Sequence, residues 1–165
     1  MFRFAVTPVL DLVRASVAAA LTGQSEPPWS VPLTFELSPW ASDLSALPLT
    51  FVEVRELAVD RSAGPRSIGL QLDMSIHHVR QRAVGVAAEA ECLARLGAVA
   101  AAFENDPHLA LNGGDTIPIH AATAEGIHVG TGSRIINQLA SSGQDVGLAA
   151  ASLDLRVIWF EGTDS

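Results

Sequence analysis

Lysine is absent from the 165 residues of this chain, and all ten basic residues are arginines. Aspartate and glutamate together number 18, so the net charge is −8 at neutral pH. Affinity for a nucleic-acid backbone comes from clustered cations that displace condensed counterions. Because the arginines are scattered and the chain is acidic, we expect DNA to pass along its surface without being bound specifically.

Cysteine and charged residues are also scarce. The one cysteine, Cys92, has no second cysteine to pair with, which excludes an intramolecular disulfide. We interpret it as a small core residue, with a reactive thiol as the alternative. Charged residues make up 17% of the chain, against about 25% in an average globular protein, and the mean hydropathy is +0.30. So thinly charged a surface favours association into a larger assembly.

Long apolar runs are missing as well. No stretch approaches the roughly 20 apolar residues that span a bilayer, and residues 1–21 lack the features of a secretory signal. We therefore expect no membrane segment and synthesis in the cytoplasm. No repeat or charged linker divides the chain, which predicts a single domain over 1–165. Within it, 24–48 is a Pro/Trp-rich connector that carries a short strand.

Two helices are predicted from apolar spacings of three and four. The first lies at the N-terminus, with Thr7 as its N-cap and Pro8 in its first turn. The second covers 86–105 and is expected to lie across a sheet. Its apolar stripe consists of Cys92, Leu96, Val99 and Phe103.

Strands are predicted where apolar residues alternate with polar ones. The clearest alternation runs over 67–77 and predicts a strand with one buried face. Residues 49–60 change parity, which predicts a bulge or burial of both faces. A turn at 61–66, with Gly64 and Pro65 at its tip, joins these two strands. The closing segment, 153–160, is apolar on both faces and is expected to be central or covered.

The region between the second helix and the closing strand is harder to interpret. Two short strands are predicted at 117–119 and 127–129, joined by a turn that would bring His120 near His128. Residues 134–148 fit a helical turn as well as a strand. The order of elements predicts an α+β fold, with a mostly antiparallel sheet packed by the N-terminal helix and a second, central helix.

Candidate catalytic and metal-binding residues do not form a known constellation. His77 and His78 are adjacent on a strand and therefore point to opposite faces. A small metal-dependent enzyme that uses His77 or His78 with His120 and His128 is the alternative hypothesis, although the spacing matches no zinc motif. Four carboxylates could meet across paired strands, as paired catalytic acids do in hydrolases. We prefer the interpretation that they face solvent; they are Glu53, Glu56, Asp60 and Asp73. No serine lies in a G-x-S-x-G elbow, so we predict a protein without enzymatic activity, metal or cofactor.

The layout resembles the neck and tail-terminator proteins of long-tailed bacteriophages. The resemblance rests on the N-terminal helix and on five further segments: the strand 49–55, the turn ending at Arg66 and Ser67, the alternating strand 68–80, the Ala/Leu helix 89–103 and the closing segment 152–161. The most specific parts, the strand pair around 61–66 and the closing strand, cover about a quarter of the chain. The Pro/Trp-rich segment 26–40 departs from the commoner members.

The resemblance implies a structural virion protein that forms a ring, most often a hexamer. Such a ring caps the tail tube, joins it to the head connector and leaves a lumen for DNA. The implied partners are tail-tube and head-connector proteins, and the implied location is the neck of the virion. An alternative within this hypothesis is that the chain is another component of the same neck, such as a head-completion adaptor or a stopper.

Subunit contacts are predicted at the hairpin tip and on the outer face of the strand that follows it. Guanidinium groups on a protruding hairpin pair well with carboxylates of a neighbour, and rings use contacts between two different patches. An equally weighted alternative is that these arginines are solvated surface charges that contact no neighbouring subunit. The predicted interface residues are Arg55, Arg61, Arg66, Ser67, Gln71, Asp73 and His77.

Overall fold

The computed structural model describes residues 4–21, 33–34, 48–62, 64–81, 88–112, 117–129 and 148–162. Most of the predicted connector at 24–48 and nearly all of the uncertain segment 134–148 lie outside these ranges. The elements in chain order are α1 (Val6–Leu21), β1 (Leu33–Thr34), β2 (Leu49–Asp60), β3 (Ser67–Gln81), α2 (Ala88–Asn105), a 3-10 turn (Ala110–Asn112), β4 (Ile119–Val129) and β5 (Leu148–Gly162).

The strands form one sheet in the order β1-β2-β3-β5-β4. The four long strands pair antiparallel with their neighbours, and the two residues of β1 pair parallel with Val52 and Glu53 of β2. The predicted α+β class with a mostly antiparallel sheet and two helices is confirmed. β5 lies between β3 and β4, so the expectation that the closing strand is central is also confirmed.

Alternation along β3 determines which side of the sheet is buried. The five apolar residues that alternate with polar ones are almost completely excluded from solvent; they are Ile68, Leu70, Leu72, Met74 and Ile76. β5 pairs with β3 over fifteen residues without a register shift. It adds Leu153, Leu155, Val157 and Trp159 to the same side, each fully buried. Full burial of one such side chain contributes about 1.5–3 kcal/mol, so these two rows form the centre of the core.

The parity change in β2 results from a bulge. The register against β3 shifts between Val54 and Glu56, which leaves Arg55 as the extra residue. A bulge moves every later side chain to the opposite parity. The apolar residues Leu57 and Val59 therefore continue on the same side of the sheet as Val52, so of the two predicted explanations, a bulge or burial of both faces, the bulge is the one found.

The two short strands predicted around residues 121–126 are wrong, because β4 is one continuous strand of 11 residues. Register shifts next to Ile119 and between Ala124 and Gly126 interrupt the alternation, which made one bulged strand resemble two. His120 and His128 therefore lie on one strand, about 26 Å apart at the usual rise per residue. The predicted approach of these two histidines is wrong for the same reason.

Helix α1 begins earlier than predicted, at Val6, so Thr7 lies inside its first turn and is not the N-cap. A side chain from β5 replaces the local cap. The Glu161 carboxylate accepts hydrogen bonds from the backbone N–H of Ala5 at 2.6 Å and from the Trp159 indole at 3.0 Å. Negative charge is favoured at a helix N-terminus, and this contact attaches α1 to the central strand.

Helix α2 lies across one side of the sheet, and α1 packs against α2. The predicted stripe of Cys92, Leu96, Val99 and Phe103 is buried. The helix packs mainly on β3, β5 and β4, so the helical layer is offset from β2. We call the side of the sheet that it covers the helix side and the opposite side the polar face. In the described part of the chain, no helix is long and apolar enough to cross a membrane.

Two glycines allow a matched test of backbone conformation. Gly64 in the β2–β3 turn has φ of +118°, where side chains are strained, whereas Gly97 in α2 has open space around the position of a Cβ. We expect Gly64→Ala to lower the free energy of unfolding by about 1–3 kcal/mol. Gly97→Ala should raise it by up to about 1 kcal/mol, because alanine is the better helix former. Denaturant unfolding of both variants measures the two effects, and a neutral or stabilising Gly64→Ala would contradict the assigned turn.

Candidate functional site

The polar face carries a network of charged and hydroxyl side chains that crosses all four long strands. Residues paired across neighbouring strands share a face. The register therefore places a row of Glu53, Ser75 and Asp154 beside a row of Glu56, Asp73 and Arg156. Alternation of the strands thus gives the sheet one apolar side and one side rich in ion pairs.

Asp154 of β5 is the point at which the strands are connected. Its Oδ1 accepts a hydrogen bond from the Ser75 hydroxyl at 3.1 Å and lies 3.7 Å from Nη2 of Arg55. Its Oδ2 lies 3.0 Å from Nε2 of His128. One carboxylate therefore contacts β2, β3 and β4. Arg55 reaches it because the bulge in β2 places this arginine outside the regular alternation.

Asp73 and Arg156 form the second part of the network. The Arg156 Nε–H donates to Asp73 Oδ1 at 2.9 Å, and Nη1 of the same arginine lies 3.3 Å from Glu125. The Gln71 amide also donates to Asp73, at 3.3 Å. The hydrogen bond from Arg156 lowers the pKa of Asp73 and raises that of Arg156. Of the four carboxylates for which the sequence analysis preferred solvent-facing positions, Glu56 and Asp73 are paired across strands, and Asp73 is the ion-pair partner of Arg156.

His77 is the buried member of the polar face. Its Nδ1 shares a hydrogen bond of 2.6 Å with the Ser152 hydroxyl, and its Nε2 lies 3.4 Å from Glu53 Oε2 without the geometry of a hydrogen bond. The Phe51 ring packs 4.9 Å from the imidazole. Burial lowers the pKa of His77, and the nearby Glu53 only partly opposes this effect. The trio has the residue types of a Ser-His-Glu triad, but both Ser152 and His77 are buried.

The histidines of the metal hypothesis are not brought together. His78 bonds to Thr50 on the side of the sheet opposite to His77, and His120 packs edge to face on Phe160. His128 shares the row of His77, but Ser152 lies between them. Among the residues that the structure describes, no group of three or more His, Cys, Asp or Glu side chains could hold a metal ion.

The β2–β3 hairpin end exposes both cations and apolar side chains. Arg61 and Arg66 are exposed, and within the described residues neither has an ion-pair partner. Leu57 and Val59 are 36% and 39% exposed on the helix side. Phe160 is 42% exposed on the polar face, where its ring crosses Gly69 at a distance that leaves little room for a Cβ. The sequence analysis named the arginines but missed these apolar residues, because alternation alone assigned them to the core.

The predicted interface residues divide into three groups by their positions. Arg61 and Arg66 are exposed at the hairpin end, and Arg55 is exposed beside Asp154. Ser67 and Gln71 are partly buried on β3. Asp73 and His77 lie inside the network, with 14% and 4% of their side-chain surface exposed. The seven residues thus share the polar face and the hairpin, and their role as contacts stays a prediction.

Similarity to known proteins is found among solved structures. No family model matches the sequence, and no curated protein is similar to it. Among solved structures, the chain is similar to the sheath/tube terminator, in the extended state, of an extracellular contractile injection system. The identity is 17%, and the TM-score is 0.47 over 100% of this chain and 60% of that chain. The chain thus spans less than two thirds of that protein, and a TM-score this low carries no argument for fold or function.

The buried His77 predicts a pH dependence of stability. The unfolded chain binds a proton at His77 with a pKa near 6.5, whereas the folded chain binds it only at lower pH. The unfolded state therefore holds more protons between the two pKa values, and stability falls as pH falls below about 6.5. We expect His77→Gln, which cannot titrate, to lose this part of the slope. Urea unfolding between pH 7.5 and pH 5 measures it, and equal slopes in both proteins would contradict the prediction.

Proposed function

We propose that this chain is a structural subunit that assembles into a homo-oligomeric ring, without enzymatic activity. The ring is a hexamer at the neck of a tailed virion, where it caps the tail tube and joins it to the head connector. DNA passes through its lumen. The partners of this ring are tail-tube and head-connector proteins, and the sequence layout described above supports this assignment.

The observation that carries the proposal is the surface of the hairpin end. Arg61 and Arg66, which have no ion-pair partner among the described residues, lie at the same end of the sheet as the exposed side chains of Leu57, Val59 and Phe160. Arginine and aromatic residues are enriched at protein interfaces, and guanidinium groups pair with carboxylates in two-point contacts. An acidic chain with 18 carboxylates supplies such partners on a second copy of itself. Arg61 and Arg66 therefore support a contact between subunits.

The network on the polar face supports the same proposal by a different route. Asp154 contacts residues of three other strands, and Arg156 connects β5 with Asp73 of β3 and Glu125 of β4. Ion pairs of this kind contribute little to stability when exposed, but they fix the orientation of long side chains. We propose that Asp73 and His77 hold the face in shape, while Arg55, Ser67 and Gln71 contact the neighbour.

Charge is consistent with a channel through which DNA moves. A ring of six copies carries six times the net charge of −8, and no lysine is available to any copy. A wall without cation clusters offers few sites for phosphate and releases few counterions. DNA is therefore repelled from the wall and does not adhere to it, as a lumen requires.

Charge reversal at the hairpin tests the proposed assembly. We expect the wild-type chain to form one defined oligomer, a hexamer, by light scattering and mass photometry. The double variant Arg61→Glu and Arg66→Glu should be monomeric, because it places like charges at the contact. Circular dichroism should be unchanged in this variant, since both side chains are exposed.

The control for charge reversal is Arg14→Glu, which changes a half-buried arginine on α1 that pairs with Asp11, away from the hairpin, and should leave the oligomer intact. Intact rings in the double hairpin variant would refute the assigned contact. A wild-type chain that stays monomeric at micromolar concentration, alone and with tail-tube protein, would refute the ring. Electron microscopy of the particle separates a tail terminator from a head-completion adaptor or a stopper.

A further inference from the structure

The segment that follows α2 holds one leucine inside the protein and another outside it. Leu109 is fully buried in the core, whereas Leu111, on the 3-10 turn, is 83% exposed. Among the described residues no other large apolar side chain is as exposed. The first leucine therefore anchors the segment, and the second projects from it.

The turn that carries Leu111 is held in one conformation. The Asp106 carboxylate accepts hydrogen bonds from the backbone N–H groups of Ala110 and Leu111, each at 3.0 Å. Leu109 has φ of +54°, a conformation that persists in a leucine only where surrounding contacts fix it. We call residues 106–111 the capped turn. Single exposed leucines are common, but one on a fixed turn is preorganised for a contact, because docking orders little further.

The capped turn is attached to the outer edge of β4. The Pro107 carbonyl accepts a hydrogen bond from the Ala122 N–H at 2.8 Å, and the His108 ring donates from Nδ1 to the Ile119 carbonyl at 2.9 Å. The 3-10 turn also contacts α1, which belongs to the helical layer. The turn therefore covers the edge of β4 and presents Leu111 beside the helix side of the sheet.

The register places the capped turn level with the hairpin end, at the opposite edge of the sheet. Ile119, which the turn contacts, is paired with Trp159 of β5, and Trp159 is paired with Leu70 of β3. Leu70 is in turn paired with Val59 of β2. When copies stand side by side, the capped turn of one copy can therefore meet the hairpin end of the next.

The hairpin end offers an apolar surface with positive charge. Leu57 and Val59 are partly exposed on the helix side, and Arg61 and Arg66 are exposed beside them. The nearby Asp60 carboxylate accepts the backbone N–H of Ser62 at 2.8 Å. The two guanidinium groups are thus available to carboxylates of another molecule.

The capped turn offers an apolar surface with the opposite charge. Glu104, in the last turn of α2, is exposed, and Asp106 adds a second carboxylate next to Leu111. The chain has no arginine between residues 96 and 112. Leucine beside carboxylates thus faces leucine and valine beside arginines, and both patches belong to this one chain. This complementarity identifies a second copy as the partner.

We propose that the capped turn of one copy docks on the hairpin end of the next copy. Leu111 packs against Leu57 and Val59, and Glu104 lies beside the hairpin arginines. The inference rests on the ring proposed above and names its contact. Two different patches at opposite edges of the subunit meet, so the contact is heterologous and can close a ring.

Disulfide formation between copies tests the contact directly. We combine Leu111→Cys with Leu57→Cys or with Val59→Cys and oxidise the oligomer. A disulfide needs Cα atoms closer than about 7 Å. Within one copy β2 and β4 alone are roughly 14 Å apart, so only neighbouring copies can be joined. Burial raises the pKa of the native Cys92 to about 11, so its thiol is not reactive.

The expected product is a ladder from dimer up to the closed ring on a non-reducing denaturing gel. An equimolar mixture of the two single-cysteine variants should stop at dimers. The control pair combines Leu111→Cys with Val129→Cys, which replaces another exposed valine at the far end of β4, and should give no ladder. Dimers from Leu111→Cys alone would reveal a two-fold contact and overturn the inference. An intact oligomer with no ladder from either pair would overturn the contact and leave the ring standing, whereas a monomer would overturn both.

A charge exchange provides an independent test. We expect Glu104→Arg alone to dissociate the oligomer, because it faces two arginines of the neighbour. Added to the double variant Arg61→Glu and Arg66→Glu, the same substitution should restore assembly, since the charges are then exchanged. Asp11→Arg, which reverses an exposed carboxylate on α1, should not restore it. Light scattering measures each state. No restoration by Glu104→Arg, or equal restoration by both substitutions, would contradict the assigned partner of the hairpin.

Discussion

The structure depends on the pairing of β3 with β5. This pair runs from Ser67 opposite Gly162 to Gln81 opposite Leu148 without a register shift, whereas β2 and β4 each contain at least one shift. A slip of one residue would exchange the two faces of a strand. It would move the apolar rows to the polar face and bury the carboxylates Asp73 and Asp154. The position of α2 and the carboxylate contacts both follow from this one register.

The sequence predicts those parts of the fold in which one periodicity persists. The alternation along β3 and the stripe from Cys92 to Phe103 are long enough to determine both the element and its buried side. β4 was misread because alanine and glycine take most of its middle and two register shifts interrupt its alternation, so no single period extends across it. The start of α1 was misplaced because its cap comes from Glu161, which is 156 residues away from Ala5 in the chain. Local sequence cannot indicate a partner at that distance.

The candidate site was predictable in part, for a similar reason. The arginines of the hairpin follow from the turn and could be named from the sequence. The exposure of Leu57 and Val59 could not, because it depends on where α2 lies and not on the residues of β2. Asp154 was also missed as the common partner of Ser75, Arg55 and His128. Its role arises only when three other strands bring their side chains to one carboxylate.

The long separation of β3 and β5 along the chain has a consequence for synthesis on the ribosome. His77 and Ser152, which share a hydrogen bond across these strands, are 75 residues apart. At about 5–20 residues per second, roughly 4–15 s pass between their appearances. For that interval the apolar row of the nascent β3 can pair with β2 but has no partner on its other side. The speed of translation through the second half of the message therefore sets how long this apolar row stays without its central partner.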